Sequence, residues 1–201
     1  NVTKAEMLTQ LQDKVSLFKI PDFFYFSVVD FQQDRERILQ KMDFDLGSKI
    51  VVRSSTIFED GSMTSSAGEF DSVLNVDAKN TSEILKAIEK VIYSYRHKKS
   101  DSNQVIMQEM VKNSIMSGVI FTHELNAGAP YYVINYDDES GATDTVTSGS
   151  GSYSNRTLYI HRNATEKLHS KRFIKLLKAI KELESILDSE FLDIEFALGD
   201  D

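Results

Sequence analysis

Cysteine is absent from the 201 residues, so neither a disulfide framework nor a thiolate metal site can contribute, and a cytoplasmic setting fits best. Long hydrophobic runs are missing too. No stretch of about 18 apolar residues could span a bilayer, and no charged-then-apolar leader opens the chain. A soluble protein with no membrane partner is expected. Positive charge is scarce: the net charge is -8, and the basic residues are scattered or set against acidic ones. Phosphate-backbone binding needs a clustered positive surface, so nucleic acid is not an expected partner, although a local pocket for one small anion is compatible with this balance. There is no internal repeat. The chain opens at Asn1 and stops at Asp201 just after an expected strand, which reads as an excised domain. With 41% hydrophobic residues it can bury one sizeable core, or two small subdomains sharing a cleft.

Periodicity supplies the elements. Ala5, Leu8 and Leu11 at helical spacing predict a helix over residues 4–15, closed off by Pro21 before an apolar strand over 23–29. A weaker helix is expected over 31–42 and a β-branched strand over 49–53, with Arg53 at its end. Residues 54–72 are rich in Ser, Thr and Gly and read as a loop. Asn80 and Glu83 form a capping-box variant ahead of Ile84, Leu85, Ile88, Val91, Ile92 and Tyr95 on one helical face. Strands follow at 104–110, 117–122, 131–136, 143–147 and 156–161. A long amphipathic helix over 165–189 carries Phe173, Leu176, Leu177, Ile180, Leu183 and Leu187. A final strand spans 191–197. This order predicts an α+β fold with a mostly antiparallel sheet and a subdomain boundary near Asp101, dividing residues 1–100 from 101–201.

Chemistry is sparse at the level of single residues. In the last strand Asp193 and Glu195 share one face, which suits magnesium on a nucleotide, since that ion takes one or two protein carboxylates and fills its shell with phosphate oxygens and water. Solvated acids on a half-exposed edge strand fit the same alternation. Arg53 at a strand end can hold a phosphate through its guanidinium fork, or pair with Glu59 or Asp60. Gly149 and Gly151 lie in a stretch that matches neither a Walker A loop nor a dinucleotide fingerprint and read as a flexible turn. His97, His123, His161 and His169 have no metal-ligand or triad spacing and read as surface or structural residues. Lys4 alone is an ordinary helix-start lysine, and Arg162 reads as a solvated arginine.

Taken together, VVRSSTIFEDGSMTSSAGEFDSVLNV at residues 51–76 resembles the segment of the phosphoenolpyruvate synthase and pyruvate phosphate dikinase family that runs VRSS, ED, S-x-A-G and LN-V. KAEMLTQL from Lys4, QVIMQEMVKNSIMSGVIFT from Gln104 and LDIEFA from Leu192 agree in order, so the resemblance spans nearly the whole chain. It implies an ATP-grasp-like domain, two subdomains with a nucleotide cleft between them. By motif position it places phosphate contacts on Lys4, Arg53, Gly68 and Ser72, an adenine and ribose contact on Gln108, and the metal-linked glutamate on Glu195, whose strand face Asp193 shares, with ATP and Mg2+ as cofactors. The expected catalytic pair is Lys4 and Arg53.

Several positions depart from the pattern. Val2 and Thr3 stand where a Gly-Gly pair usually precedes the lysine. His123 replaces an arginine, and Glu124 and Leu125 replace D-P. The Q-x-R-P strand that follows the metal glutamate in the family lies past Asp201. The resemblance implies transfer of a phosphoryl group from ATP to a histidine on a swivelling domain and then to an acceptor on another, so a fragment without those domains is expected to be inactive alone. The stretch from Tyr131 is most similar to the surface-polysaccharide branch of the family, which includes a glutamine kinase. A binding module that keeps the fold without catalysis is the alternative.

Overall fold

The computed structural model describes residues 2–41, 46–57, 72–141 and 156–199, which fall into two compact units. Unit 1 comprises Asn1–Asp13 and Ile20–Met110; unit 2 comprises Lys14–Lys19 and Val111–Asp201. The division falls at residues 110 and 111 rather than near Asp101, because the strand that begins at Gln104 pairs within the first sheet.

Unit 1 begins with α1 (Lys4–Leu11) and β1 (Phe23–Ser27). The apolar run expected as one strand to residue 29 breaks at Ser27, whose hydroxyl accepts from the Asp30 amide and starts α2 (Val28–Gln33). The single helix expected over 31–42 is instead α2 and α3 (Arg35–Lys41), separated by the non-helical Asp34. Next come β2 (Lys49–Ser55), β3 (Ser72–Asp77), α4 (Thr81–Ser94) and β4 (Gln104–Glu109). All pairings are antiparallel, in the order β1-β4-β2-β3. Asn80 caps α4 through the Ser82 and Glu83 amides. The box is indeed a variant, since Glu83 reaches back to the Asp77 amide.

Alternation along β2 and β4 sends Ile50, Val52, Val105 and Met107 into the core beneath Ile84, Ala87, Ile88 and Val91 of α4. Each fully buried aliphatic side chain contributes about 1.5–3 kcal/mol relative to exposure. That burial fixes which face of the sheet is left for other work, the one carrying Val51, Arg53, Ser55, Gln104, Ile106 and Gln108.

Unit 2 contains β5 (Ser114–Phe121), β6 (Tyr131–Asp137), β7 (Arg156–His161), α5 (Lys171–Leu187) and β8 (Asp193–Gly199), with the antiparallel sheet ordered β7-β6-β5-β8. The strand expected over 143–147 and the turn at Gly149 and Gly151 lie outside the described residues. The long helix begins at 171 rather than 165, because residues 162–167 form a 3-10 turn capped by His161. Its buried residues include Phe173, Leu176, Leu177, Ile180 and Leu183. Phe173 meets Tyr136 edge-on at 5.2 Å between ring centroids. At Gly118 a Cβ would lie 2.0 Å from the Asn135 carbonyl oxygen, so β5 and β6 approach too closely there for any side chain. The α+β class expected from the sequence is the one found.

Candidate functional site

The residues named from the sequence fall on two surfaces, one in each unit. In unit 1, Arg53 sits directly opposite Ser72 across the β2–β3 pairing and opposite Ile106 across β2–β4. Gln108 is opposite Val51, two residues further along β4, which makes it the diagonal neighbour of Arg53, roughly 7–8 Å away. All three side chains therefore emerge on the face turned away from α4. Gln108 is buried, and its amide donates to the Pro21 carbonyl at 3.2 Å. Gly68 lies outside the described residues, as do Glu59 and Asp60, the alternative partners of Arg53.

The helix end that carries Lys4 is bonded to this face of the sheet by another route. Thr3 is the N-cap of α1: its hydroxyl accepts from the Glu6 amide, while the Glu6 carboxylate accepts from the Thr3 amide at 2.8 Å, a complete capping box. The Ala5 amide donates to the Ser55 hydroxyl at 3.0 Å. Thr3 and Ser55 hydroxyls both donate to Gln104 Oε1, at 2.7 and 3.2 Å. Ser55 is two residues beyond Arg53 on the same face of β2, so the helix end that carries Lys4 is bonded to the strand that carries Arg53. The Ser55, Gln104 and Thr3 contacts were not singled out from the sequence, although the T-x-x-E spacing from Thr3 to Glu6 is a readable capping signature.

In unit 2, Asp193 and Glu195 are exposed on β8, opposite Phe121 and Val119 of β5. Ile194 and Phe196 point to the other side, that of Ile120, Ile134 and Tyr136. Val119 in turn opposes Asn135 of β6, whose side-chain oxygen accepts from Thr157. Among the described residues no group of three or more His, Asp or Glu could hold a metal ion. Two hard oxygen donors fit a nucleotide-bound magnesium, which draws its remaining ligands from phosphate and water.

His123, which stands where the family has an arginine, stacks on Phe191 with centroids 4.3 Å apart, and its Nδ1 lies 2.8 Å from the Glu190 carbonyl. Arg162 is not solvated. It donates to Glu184 at 2.6 Å and to the Thr122 carbonyl at 3.0 Å, and lies over the Tyr132 ring at 4.7 Å. Tyr132 donates to the other Glu184 oxygen, and burial together with the Glu184 charge pushes its hydroxyl up to about 12.

The family model described as pyruvate phosphate dikinase, AMP/ATP-binding domain, matches residues 6–139. The chain belongs to this family. The matched range holds Arg53, Ser72 and Gln108, while Lys4 precedes it and the β8 acids follow it. No curated protein matches the chain. Among solved structures, it is similar to a D-alanine-D-alanine ligase from Helicobacter pylori at 14% identity and TM-score 0.46, covering 98% of this chain and 47% of that one. It is also similar to a D-alanyl-alanine synthetase A from Vibrio cholerae O1 biovar eltor at 18% identity and TM-score 0.47, covering 98% of this chain and 50% of that one. This member of the dikinase AMP/ATP-binding family thus spans about half the length of these two structures. Among the described residues no helix is long and apolar enough to cross a membrane.

Proposed function

We propose that this chain is the ATP-binding, ATP-grasp-like portion of a dikinase-type phosphotransferase. What supports the reading is the placement of Arg53, Ser72 and Gln108 on one sheet face, with the helix end that carries Lys4 bonded to Ser55 of that face, in a member of an AMP/ATP-binding family. Lys4 and Arg53 bind phosphate oxygens, Arg53 through its two-pronged fork. Ser72, with Gly68 before it in the chain, lies beside them, and Gln108 takes the base and ribose side. Asp193 and Glu195 would hold magnesium, which supplies charge neutralisation at the phosphates.

Little covalent chemistry is required of such a protein. Phosphoryl transfer is served mainly by positioning and by fixed charge aimed at the phosphate oxygens. The accepting histidine and the final acceptor belong to further domains, so this portion alone binds nucleotide without completing the transfer.

Calorimetric titration with ATP and magnesium tests the reading. Arg53→Ala should weaken binding roughly ten- to a hundredfold, the usual range for a charge-assisted contact. Because Arg162 is part of a half-buried network, the control is Arg35→Ala, whose partner Glu89 is on the exposed surface. Equal affinities for wild type and Arg53→Ala would remove Arg53 from the site. Full ATP affinity with no transfer in a protein that includes the partner domains would favour a binding module instead.

A further inference from the structure

The start of α1 is tied both within the helix and to the sheet. Of its first amides, that of Glu6 is satisfied by Thr3, within the capping box. That of Ala5 is satisfied from outside the helix, by Ser55 of β2. Ser55 is itself held on both sides. Its hydroxyl donates to Gln104 Oε1, and its amide donates to the Tyr95 hydroxyl at 2.8 Å. The Tyr95 hydroxyl donates onward to the Gln104 carbonyl at 2.6 Å, so it is spliced between the two strand ends. Thr3, Ser55 and Tyr95 are all buried. In such surroundings an unmade hydrogen bond leaves a desolvated polar group, so the set tends to be kept or lost together.

Lys4 stands between the two tied positions, Thr3 and Ala5. Arg53 stands two residues before Ser55, on the same face. One small piece of sheet therefore sets the roots of both cations.

We infer that Gln104, Ser55 and Thr3 form a latch that positions Lys4 against the face holding Arg53, and that Gln104 is a positioning residue for nucleotide phosphates. This rests on the proposed role of Lys4. The Thr3 side chain supplies both the cap of this helix end and one arm of the latch. A lysine side chain has four rotatable bonds, so its placement is only as good as the backbone it grows from. A helix end free to shift by about 1 Å would spread the ammonium over positions that miss the phosphate oxygens.

The test compares wild type, Gln104→Leu, Gln104→Glu, Lys4→Ala and the Gln104→Leu/Lys4→Ala double variant. ATP affinity is measured with magnesium at one salt concentration, alongside amide hydrogen exchange at Ala5, Glu6 and, as an internal reference, Ile88. Gln104→Leu should weaken ATP about tenfold, as for loss of one charge-assisted contact. Gln104→Glu keeps an oxygen acceptor for both hydroxyls and should hold exchange at Ala5 and Glu6 near wild type, although its added negative charge weakens ATP binding. In the Lys4→Ala background, Gln104→Leu should weaken ATP no further. Exchange at Ala5 and Glu6 should accelerate in Gln104→Leu while Ile88 is unchanged.

Additive losses in the double variant would show general loosening and overturn the positioning role. Unchanged exchange at Ala5 and Glu6 would show that the latch does not hold the helix end, whatever the affinities. If Lys4→Ala and wild type bind ATP equally, the role of Lys4 fails and takes the positioning claim with it, a failure that the exchange profile distinguishes from failure of the latch.

Discussion

In unit 1 the sheet turns Ile50, Val52, Val105 and Met107 toward α4 and leaves Arg53 and Gln108 on the reverse; in unit 2 it turns Ile120, Ile134 and Tyr136 inward and leaves Asp193 and Glu195 on the reverse. Strand alternation thus separates the residues packed into each unit's core from those on the opposite sheet face. The charged residues on these opposite faces differ in sign. The supports differ as well: neutral hydroxyl and amide bonds brace the cationic face of unit 1, whereas unit 2 relies on the charged Arg162–Glu184 pair with Tyr132. Substituting a candidate ligand residue should therefore leave folding nearly intact, and substituting its support should not.

The largest expected effect breaks unit 1 from inside. Ile88→Ala empties a fully buried site under β2 and should cost about 2–5 kcal/mol, read as faster amide exchange throughout unit 1. Exchange in the β5–β6 pairing of unit 2 should be unchanged. Uniform acceleration across both units would show that they unfold as one and would dissolve the comparison.

Arg162→Ala is the unit 2 counterpart. It leaves Glu184, which is only 11% exposed, without its cation, and breaking such a pair costs about 3–5 kcal/mol. Thermal unfolding should show the loss, with ATP affinity of the folded protein unaltered. An arginine that could be removed for less than about 0.5 kcal/mol would behave as a surface residue, contrary to its contacts with Thr122, Glu184, Glu190 and Tyr132.

Much of this organisation was legible from the chain and some was not. The stripe from Ile84 to Tyr95 with Asn80 before it marks α4, because periodicity and cap agree. The break at Ser27 was hidden by an apolar run that suits a strand as well as a helix, although Ser27 with Asp30 carries the cap that decides it. Asp193 and Glu195 could be assigned one face from alternation alone. The register that sets Arg53 against Ser72 could not, since it joins residues across a long connection. Arg162 reads as solvated because its partner Glu184 is 22 residues away, on another element, and spacing along a chain does not report such a meeting.

Glu195→Gln sharpens the contrast between faces and supports. It keeps the shape of an exposed side chain and removes the charge that magnesium needs, so magnesium should cease to tighten ATP binding while unfolding shifts by less than about 0.5 kcal/mol. If the coupling survives here and vanishes in Asp193→Asn, the metal side rests on the other acid.

The smallest effect at neutral pH is that of Tyr132→Phe, and its pH dependence is the sharper measurement. At pH 7 the variant loses one hydrogen bond to Glu184, about 1 kcal/mol of unit 2 stability. The hydroxyl of the folded protein titrates at about 12 rather than the ordinary 10.0, chiefly because it is buried and then because Glu184 lies beside it. A proton held more tightly in the folded state stabilises it fully below pH 10, and that contribution is lost as the pH rises toward 12, while the unfolded chain ionises. Over that window the wild type should lose roughly 2–3 kcal/mol that the phenylalanine variant does not have to lose. The order of stability should then reverse, with Tyr132→Phe the less stable protein at pH 7 and the more stable at pH 12. Denaturant unfolding at pH 7, 10, 11 and 12 reads this as a change in the sign of the difference. A difference that stays constant across the series would show that the Tyr132 proton is held no more tightly than in the unfolded chain.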